Sequence, residues 1–159
     1  MRNIIIILAA LLVWIDAAAQ TPVEELIVRY GEVQGARSFI ARGTTVIFAR
    51  GLLRNYELAP IANEVEELYV LRMGGASRQE QDNFTSDLKE TLKVYEYYGM
   101  FDGKEGLVDI YVTRCVPDTV SELVIYNPEL WSLNSLEGNF SVSSLLSLVK
   151  DDPAEDISE

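Results

Sequence analysis

Residues 94–112 read VYEYYGMFDGKEGLVDIYV, and this stretch decides the fold class. Apolar side chains alternate towards Val112, which is typical of a half-buried strand, and the aromatic run before Asp102 also favours a strand. The Asp102-Gly103 pair between the two runs is a hairpin signal, because both residue types tolerate the positive φ angles of tight turns. The sequence therefore predicts an antiparallel hairpin at this point of the chain.

Further strands are predicted after the hairpin. Turn residues at Pro117-Asp118 and Asn127-Pro128 bound apolar runs at 123–126 and 130–136, and both runs have strand character. The Glu-Gly-Asn sequence at 137–139 is expected to close the sheet. Three or four antiparallel strands in a meander follow from this order.

The region before the hairpin mixes strands with a helix. Residues 36–42, centred on Phe39-Ile40, predict a short strand, and the apolar residues between Val46 and Leu53 suggest a helix. Residues 64–73 end in an apolar run of the buried-strand type, which Gly74-Gly75 closes.

Three helices have clear start or spacing signals. Thr21-Pro22-Val23-Glu24 combines an N-cap, a proline at the first helical position and a capping-box acid, so a helix is predicted from Pro22 to about Tyr30. Ser77 to Glu80 form a second capping box, and a last amphipathic helix is indicated by Val142, Leu145, Leu146 and Val149. The predicted fold is α+β: an antiparallel β-meander sheet packed against two to four helices.

The ends of the chain are expected to lie outside this fold. Arg2, the unbroken apolar run of twelve residues from Ile4 to Ile15, and the small residues at 17–19 predict a cleavable signal peptide over residues 1–19. A membrane anchor is the competing interpretation, but a twelve-residue helix is too short to cross a bilayer of about 30 Å. Residues 20–149 are predicted to form a single domain, and residues 150–159 a disordered acidic tail.

Charge limits the possible partners. Removal of residues 1–19 takes away one base and one acid, so the net charge stays at −12. Nucleic acids and anionic lipid headgroups bind proteins through lysine and arginine, and the overall field opposes both. We therefore expect no nucleic-acid partner and, after cleavage, no membrane span; the protein is expected to be exported, either to the periplasm or beyond the cell.

The composition argues against most catalytic chemistry. The chain has no histidine and a single cysteine, Cys115, which removes the usual general base and the common zinc ligand sets. No cofactor and no metal site are predicted. Carboxylate pairs are the remaining catalytic groups that the composition allows. The acids at 64, 66, 67, 102, 105 and 109 are nevertheless interpreted as solvated surface groups.

Tyrosines supply the candidate binding residues. Five of the eight tyrosines fall between residues 95 and 126, and tyrosine is both a strand former and an interface residue. With an even-numbered hairpin loop, Tyr98 and Tyr111 share one open face, whereas a one-residue slip reverses the assignment. The predicted binding residues are Tyr98, Tyr111, Tyr97 and Tyr126.

The order of these segments resembles a domain-of-unknown-function family of small exported, often lipoprotein-like proteins of didermal anaerobic bacteria. The resemblance rests on the spacing of Tyr30 and Gly35, the Tyr95-Glu96 junction, the Asp102-Gly103 hairpin and the Leu136-x-Gly138-x-Phe140 segment. It implies an exported α+β domain without an established catalytic residue. It also makes Asp118-Thr119-Val120 a possible O-glycosylation site at Thr119, because the triplet is similar to the acceptor pattern of such bacteria.

Three functions remain open from the sequence. The first is a non-enzymatic module of the cell envelope that binds a protein or a glycan through the tyrosine-bearing sheet. The second is a small carboxylate-dependent glycan hydrolase, which would need two facing acids with unequal pKa values. The third, implied by the family resemblance, is a regulatory ligand of an envelope-stress system.

Overall fold

The computed structural model describes residues 20–54, 58–103, 105–113 and 117–149. The strands of this part are β1 (Arg37–Ala41), β2 (Val65–Arg72), β3 (Glu96–Gly103), β4 (Gly106–Val112), β5 (Thr119–Asn127) and β6 (Ser132–Ser141). Its helices are α1 (Pro22–Gly31), α2 (Thr45–Leu53), α3 (Arg78–Thr91) and α4 (Val142–Val149), with a 3₁₀ turn at Leu92–Val94. The predicted signal peptide, the acidic tail and Cys115 lie outside the described residues.

All six strands form one antiparallel sheet in the order β1-β2-β6-β5-β4-β3. The four strands from β3 to β6 are sequential neighbours, so the predicted meander and the α+β class are confirmed. Strands β2 and β1 extend the sheet beyond β6, and both pairings are antiparallel.

Helices α1 and α3 cover one face of the sheet, which we call the α1 face. The capping box at the start of α1 is present: the Thr21 hydroxyl accepts from the Glu24 amide, and the Glu24 carboxylate accepts from the Thr21 amide. This box fixes the helix start and directs an apolar stripe, including Leu26, towards the sheet. Phe84 of α3 is fully buried there and packs edge-on against Tyr30 and Tyr126.

Helices α2 and α4 belong to a second core on the opposite face, the α2 face. Buried residues of these helices, including Leu53 and Leu148, pack with Leu68, Ile125 and Leu136 of the sheet. The sheet is therefore covered on both sides, which explains why β5 carries an unbroken apolar run at residues 123–126 rather than a strict alternation.

Strand β6 continues where the sequence predicts the end of the sheet. The expectation that residues 137–139 close the sheet is wrong, because β6 runs to Ser141 and Gly138 pairs with Val65. An added Cβ at Gly138 would lie 2.0 Å from the Glu64 carbonyl oxygen. The glycine is required by close strand contact, and not by a turn.

The β3–β4 hairpin forms as predicted, with Gly103 paired to Gly106. A register shift between Tyr97 and Gly99 then makes Tyr97, and not Tyr98, the partner of Tyr111. Such a bulge sends the following side chains to the opposite face. Tyr98 and Tyr111 consequently lie on opposite faces of the sheet, so the shared open face suggested for these two residues is wrong.

No helix within the described residues is long and apolar enough to cross a membrane.

Candidate functional site

The α2 face contains a cavity of about 510 Å³. Its floor is a row of residues that pair across four strands, namely Val70, Asn134, Ile125 and Ile110. Leu53 of α2, Leu148 of α4 and Leu58 contribute to its sides. The volume falls within the range of about 300–1,000 Å³ that is typical of small-molecule sites.

Polar groups are few in this cavity and lie towards one end. Arg72 and Glu105 form an ion pair there with 3.7 Å between Nη2 and Oε2, and both side chains are largely exposed. Asn134 is the polar member of the apolar floor, and its side-chain amide makes no hydrogen bond to any residue that the structure describes. A mostly apolar cavity with a few convergent polar groups is the usual form of a ligand site.

A second candidate lies on the α1 face, where four glutamates meet below the start of α1. We call Glu24, Glu67, Glu122 and Glu137 the acidic cluster. Carboxylate oxygens of Glu24, Glu67 and Glu137 lie within 4.8 Å of one another, close enough to hold a cation together. None of these residues lines the α2-face cavity.

Glu122 is the most buried member of the cluster, with 1 % of its surface exposed. Its carboxylate accepts hydrogen bonds from the hydroxyls of Thr21 at 2.9 Å, Ser135 at 2.7 Å and Tyr95 at 2.8 Å. Burial raises the pKa of Glu122 although these three donors oppose the shift. The residue therefore links α1, the end of the 3₁₀ turn and the sheet through one carboxylate.

Glu24 and Glu137 form an unequal pair. Burial, together with the neighbouring Glu24 carboxylate, raises the pKa of Glu137 to about 8. Burial also opposes ionisation of Glu24, but hydrogen bonds from Glu137 and the Thr21 amide, with the charge of Arg42, lower its pKa overall. Oε1 of Glu137 is buried and accepts no hydrogen bond from the described donors, so a proton on Glu137 would let it donate to Glu24.

Arg42 and Tyr69 close the outer side of the cluster. Arg42 Nε lies 2.8 Å from Glu67 Oε2, and Arg42 Nη2 lies 3.7 Å from Glu24 Oε1. The Tyr69 hydroxyl donates to Glu67 at 2.6 Å and accepts from Arg42. The expectation that Glu67 is a solvated surface acid is therefore wrong.

Glu64 also makes specific contacts, because it accepts hydrogen bonds from Ser141 and Ser144 at the start of α4.

The pair of Glu24 and Glu137 makes stability depend on pH. Because the pKa of Glu137 is raised from 4.5 to about 8, its neutral form favours the folded state, and this contribution is lost as the pH rises through that range. We expect Glu137→Gln, which cannot ionise, to match the wild type near about pH 5 and to exceed it by about 2 kcal/mol in free energy of unfolding near about pH 9. Urea unfolding at both pH values measures the difference. The exposed neighbour Glu66, changed to Gln, is the control, and an E137Q advantage that is the same at both pH values would contradict the prediction.

The four predicted binding tyrosines lie on different faces of the sheet. Tyr97 and Tyr111 lie on the α1 face with ring centroids 5.2 Å apart, and Tyr97 is 57 % exposed. Tyr126 is buried against Phe84, whereas the ring of Tyr98 packs against the core on the α2 face. The four tyrosines do not form one surface, and a binding role for any of them stays a prediction.

Three other predicted positions have a defined place. Thr119, the predicted O-glycosylation site, is the half-buried first residue of β5 and pairs with Ser141. Asp109 accepts a hydrogen bond from the Tyr97 hydroxyl at 3.2 Å. Asp102 is exposed on β3.

Sequence reasoning missed both the cavity and the acidic cluster. One signal for the cluster was present: Glu122 has the same strand parity as Val124 and Tyr126, so alternation assigns it to the same inward face. No protein-family model, curated protein or solved structure matches this chain.

Proposed function

We propose that the protein is an exported, non-enzymatic binding module of the cell envelope and that the α2-face cavity is its ligand site. The cavity carries the proposal, because a volume of about 510 Å³ between sheet and helices is unfilled by the side chains that the structure describes. Because the lining is mainly apolar and open to solvent, a ligand that covers it would remove apolar surface from water. The family resemblance supplies the exported location.

The lining of the cavity indicates the class of ligand. Side chains such as Val70, Val108 and Ile125 favour an apolar body, since removal of apolar surface from water drives such binding. Arg72 at one end can pair with a carboxylate or a similar anionic head, and the Asn134 amide can orient a polar group. We therefore propose an elongated amphipathic molecule as ligand. The absence of histidine from the whole sequence fits binding better than hydrolysis.

A direct test uses a probe with the same chemistry. Val108→Trp should fill the cavity and weaken binding of dansyl-undecanoic acid at least about tenfold, because the bulky ring occupies the volume that the acyl chain needs. Fluorescence titration measures the binding constant. Val94→Trp is the matched control, since Val94 is 72 % exposed and does not line the cavity.

The test can also fail clearly. Equal probe binding by the wild type and V108W, with both proteins folded by circular dichroism, would reject the cavity as the site. Native mass spectrometry of protein isolated from its own envelope would add the identity of a co-purified ligand.

A carboxylate-dependent glycan hydrolase remains the second candidate, since Glu137 and Glu24 have pKa values shifted in opposite directions. Their position weakens it. Glu24 is only 4 % exposed and serves in the capping box of α1, so its carboxylate is already committed to the fold. Release of sugar from a glycan panel by the wild type but not by E137Q would favour this second function over the first.

A further inference from the structure

The segment from β1 to α2 concentrates positive charge in an acidic protein. Residues 33–56 contain four arginines and no aspartate or glutamate, although the whole chain has a net charge of −12. The four are Arg37, Arg42, Arg50 and Arg54. Such an asymmetry marks a local surface that differs electrostatically from the rest of the molecule.

Three of these arginines have no acidic partner among the residues that the structure describes. Arg50 donates from Nε to the Val65 carbonyl oxygen at 2.6 Å, and Arg54 donates to the Asn63 side-chain oxygen, so both bond to neutral acceptors. Within the described ranges, no ion pair joins Arg37, Arg50 or Arg54 to an acid. Arg42, in contrast, is paired with Glu67 and Glu24.

The same segment exposes large apolar side chains. Ile47, Phe48 and Leu52 of α2 are 63 %, 78 % and 61 % exposed, and their spacing puts them on the outward face of the helix. Phe39 of β1 is 51 % exposed and has the same strand parity as Ala41, which is buried in the α2-face core. We call Phe39, Ile47, Phe48 and Leu52 with Arg37, Arg50 and Arg54 the α2 surface.

We propose that the α2 surface docks onto an anionic lipid bilayer, with the apolar side chains entering the interface and the arginines contacting the headgroups. A helix with apolar residues flanked by arginine is the usual form of an interfacial membrane contact. Each arginine near such a surface adds attraction, and exposed phenylalanine and leucine supply the apolar part that a purely ionic partner would not use. This inference goes beyond the proposed ligand site and does not depend on it.

The net negative charge does not prevent this contact. The Debye length is about 8 Å at physiological ionic strength, so charges farther away are largely screened. The acids of α1 and α3 lie on the opposite side of the sheet, and packed layers are about 10 Å apart. Of the acids on the α2 face, Glu64 accepts hydrogen bonds from Ser141 and Ser144, and Glu105 is paired with Arg72, so neither of them neutralises an arginine of the α2 surface.

Vesicle sedimentation tests the proposal with the protein in its processed form, its N terminus read by mass spectrometry. We expect binding to vesicles of phosphatidylglycerol and phosphatidylcholine, with little binding to phosphatidylcholine alone. The double variant Arg37→Gln with Arg54→Gln should lose about thirtyfold in partition coefficient, at about fivefold for each arginine. Phe48→Ser should lose binding at any salt concentration, whereas the arginine effect should fade in high salt.

A charge-matched control separates docking from net charge. Arg78→Gln with Lys89→Gln removes two positive charges from α3, on the opposite side of the sheet, and should leave vesicle binding nearly unchanged. Equal losses in the two double variants, or equal wild-type binding to both vesicle types, would overturn the proposal. Vesicle binding that appears only after removal of residues 150–159 would assign the α2 surface to the acidic tail instead, and it would also overturn the proposal.

Discussion

Glu122→Ala is expected to lower the free energy of unfolding by about 3–5 kcal/mol, because it removes the common acceptor of three hydroxyl groups. The hydroxyls of Thr21, Ser135 and Tyr95 all donate to this carboxylate, and the site is closed to solvent. A buried donor without an acceptor costs about 1–3 kcal/mol, and the shortened side chain also leaves a void. The damage should spread to α1, because the Thr21 hydroxyl also accepts the capping bond from the Glu24 amide.

Urea denaturation followed by circular dichroism measures this effect. Glu122→Gln keeps the shape of the side chain and one acceptor oxygen, so it should lose much less stability than Glu122→Ala. Glu66→Ala, at an exposed position of β2, should change stability by less than about 0.5 kcal/mol. A loss in E122A no larger than that in E66A would show that the three hydrogen bonds contribute little to the folded state.

Local signals in the sequence are sufficient for most of the elements. The capping box at Thr21 predicts α1 because the bonds that start a helix are made within four residues. The β3–β4 hairpin is predicted for the same reason, although Asp102 and Gly103 lie at the end of β3 and pair with Leu107 and Gly106, so the turn follows these two residues. The predicted register is wrong beyond the bulge beside Gly99, because one extra residue there reverses the faces of Tyr97 and Tyr98.

Features that depend on contacts between residues far apart in sequence cannot be predicted from local signals. Thr21 and Glu122 are 101 positions apart, so the first reads as a helix cap and the second as a polar residue in a strand. The cavity arises because α2 and α4 meet the sheet without filling the space between them. Neither arrangement leaves a periodic pattern in the chain, and both become visible only when the layers are assembled.

The net charge of the whole chain does not reveal the basic and apolar segment between residues 33 and 56. A net charge of −12 predicts repulsion from anionic lipids for the molecule as a whole. The arginines are nevertheless grouped in sequence, and three of them, Arg37, Arg50 and Arg54, belong to or directly follow β1 and α2, the two elements that carry the α2 surface. Local grouping of charge, rather than its sum, is the property on which the docking proposal depends.

Gly138→Ala is expected to destabilise the protein by more than about 3 kcal/mol, because backbone has to move to admit one methyl group. The added Cβ would lie 2.0 Å from the Glu64 carbonyl oxygen and 3.2 Å from the Phe140 ring. The conflict lies where β2 meets β6, next to Val65, which is fully buried. Separation of these two strands would expose part of the core on the α2 face.

The same substitution at Gly51 provides the matched control. Gly51 is exposed in α2, and apart from its chain neighbours and its own helix backbone an added Cβ would meet no described heavy atom within 4 Å. Because alanine is the better helix former, Gly51→Ala should stabilise the protein by about 0.5–1 kcal/mol. Changes of opposite sign in the free energy of unfolding, measured by urea denaturation, would assign the cost at Gly138 to close strand contact. A loss below about 1 kcal/mol in G138A would mean that β2 and β6 can separate without disturbing the core.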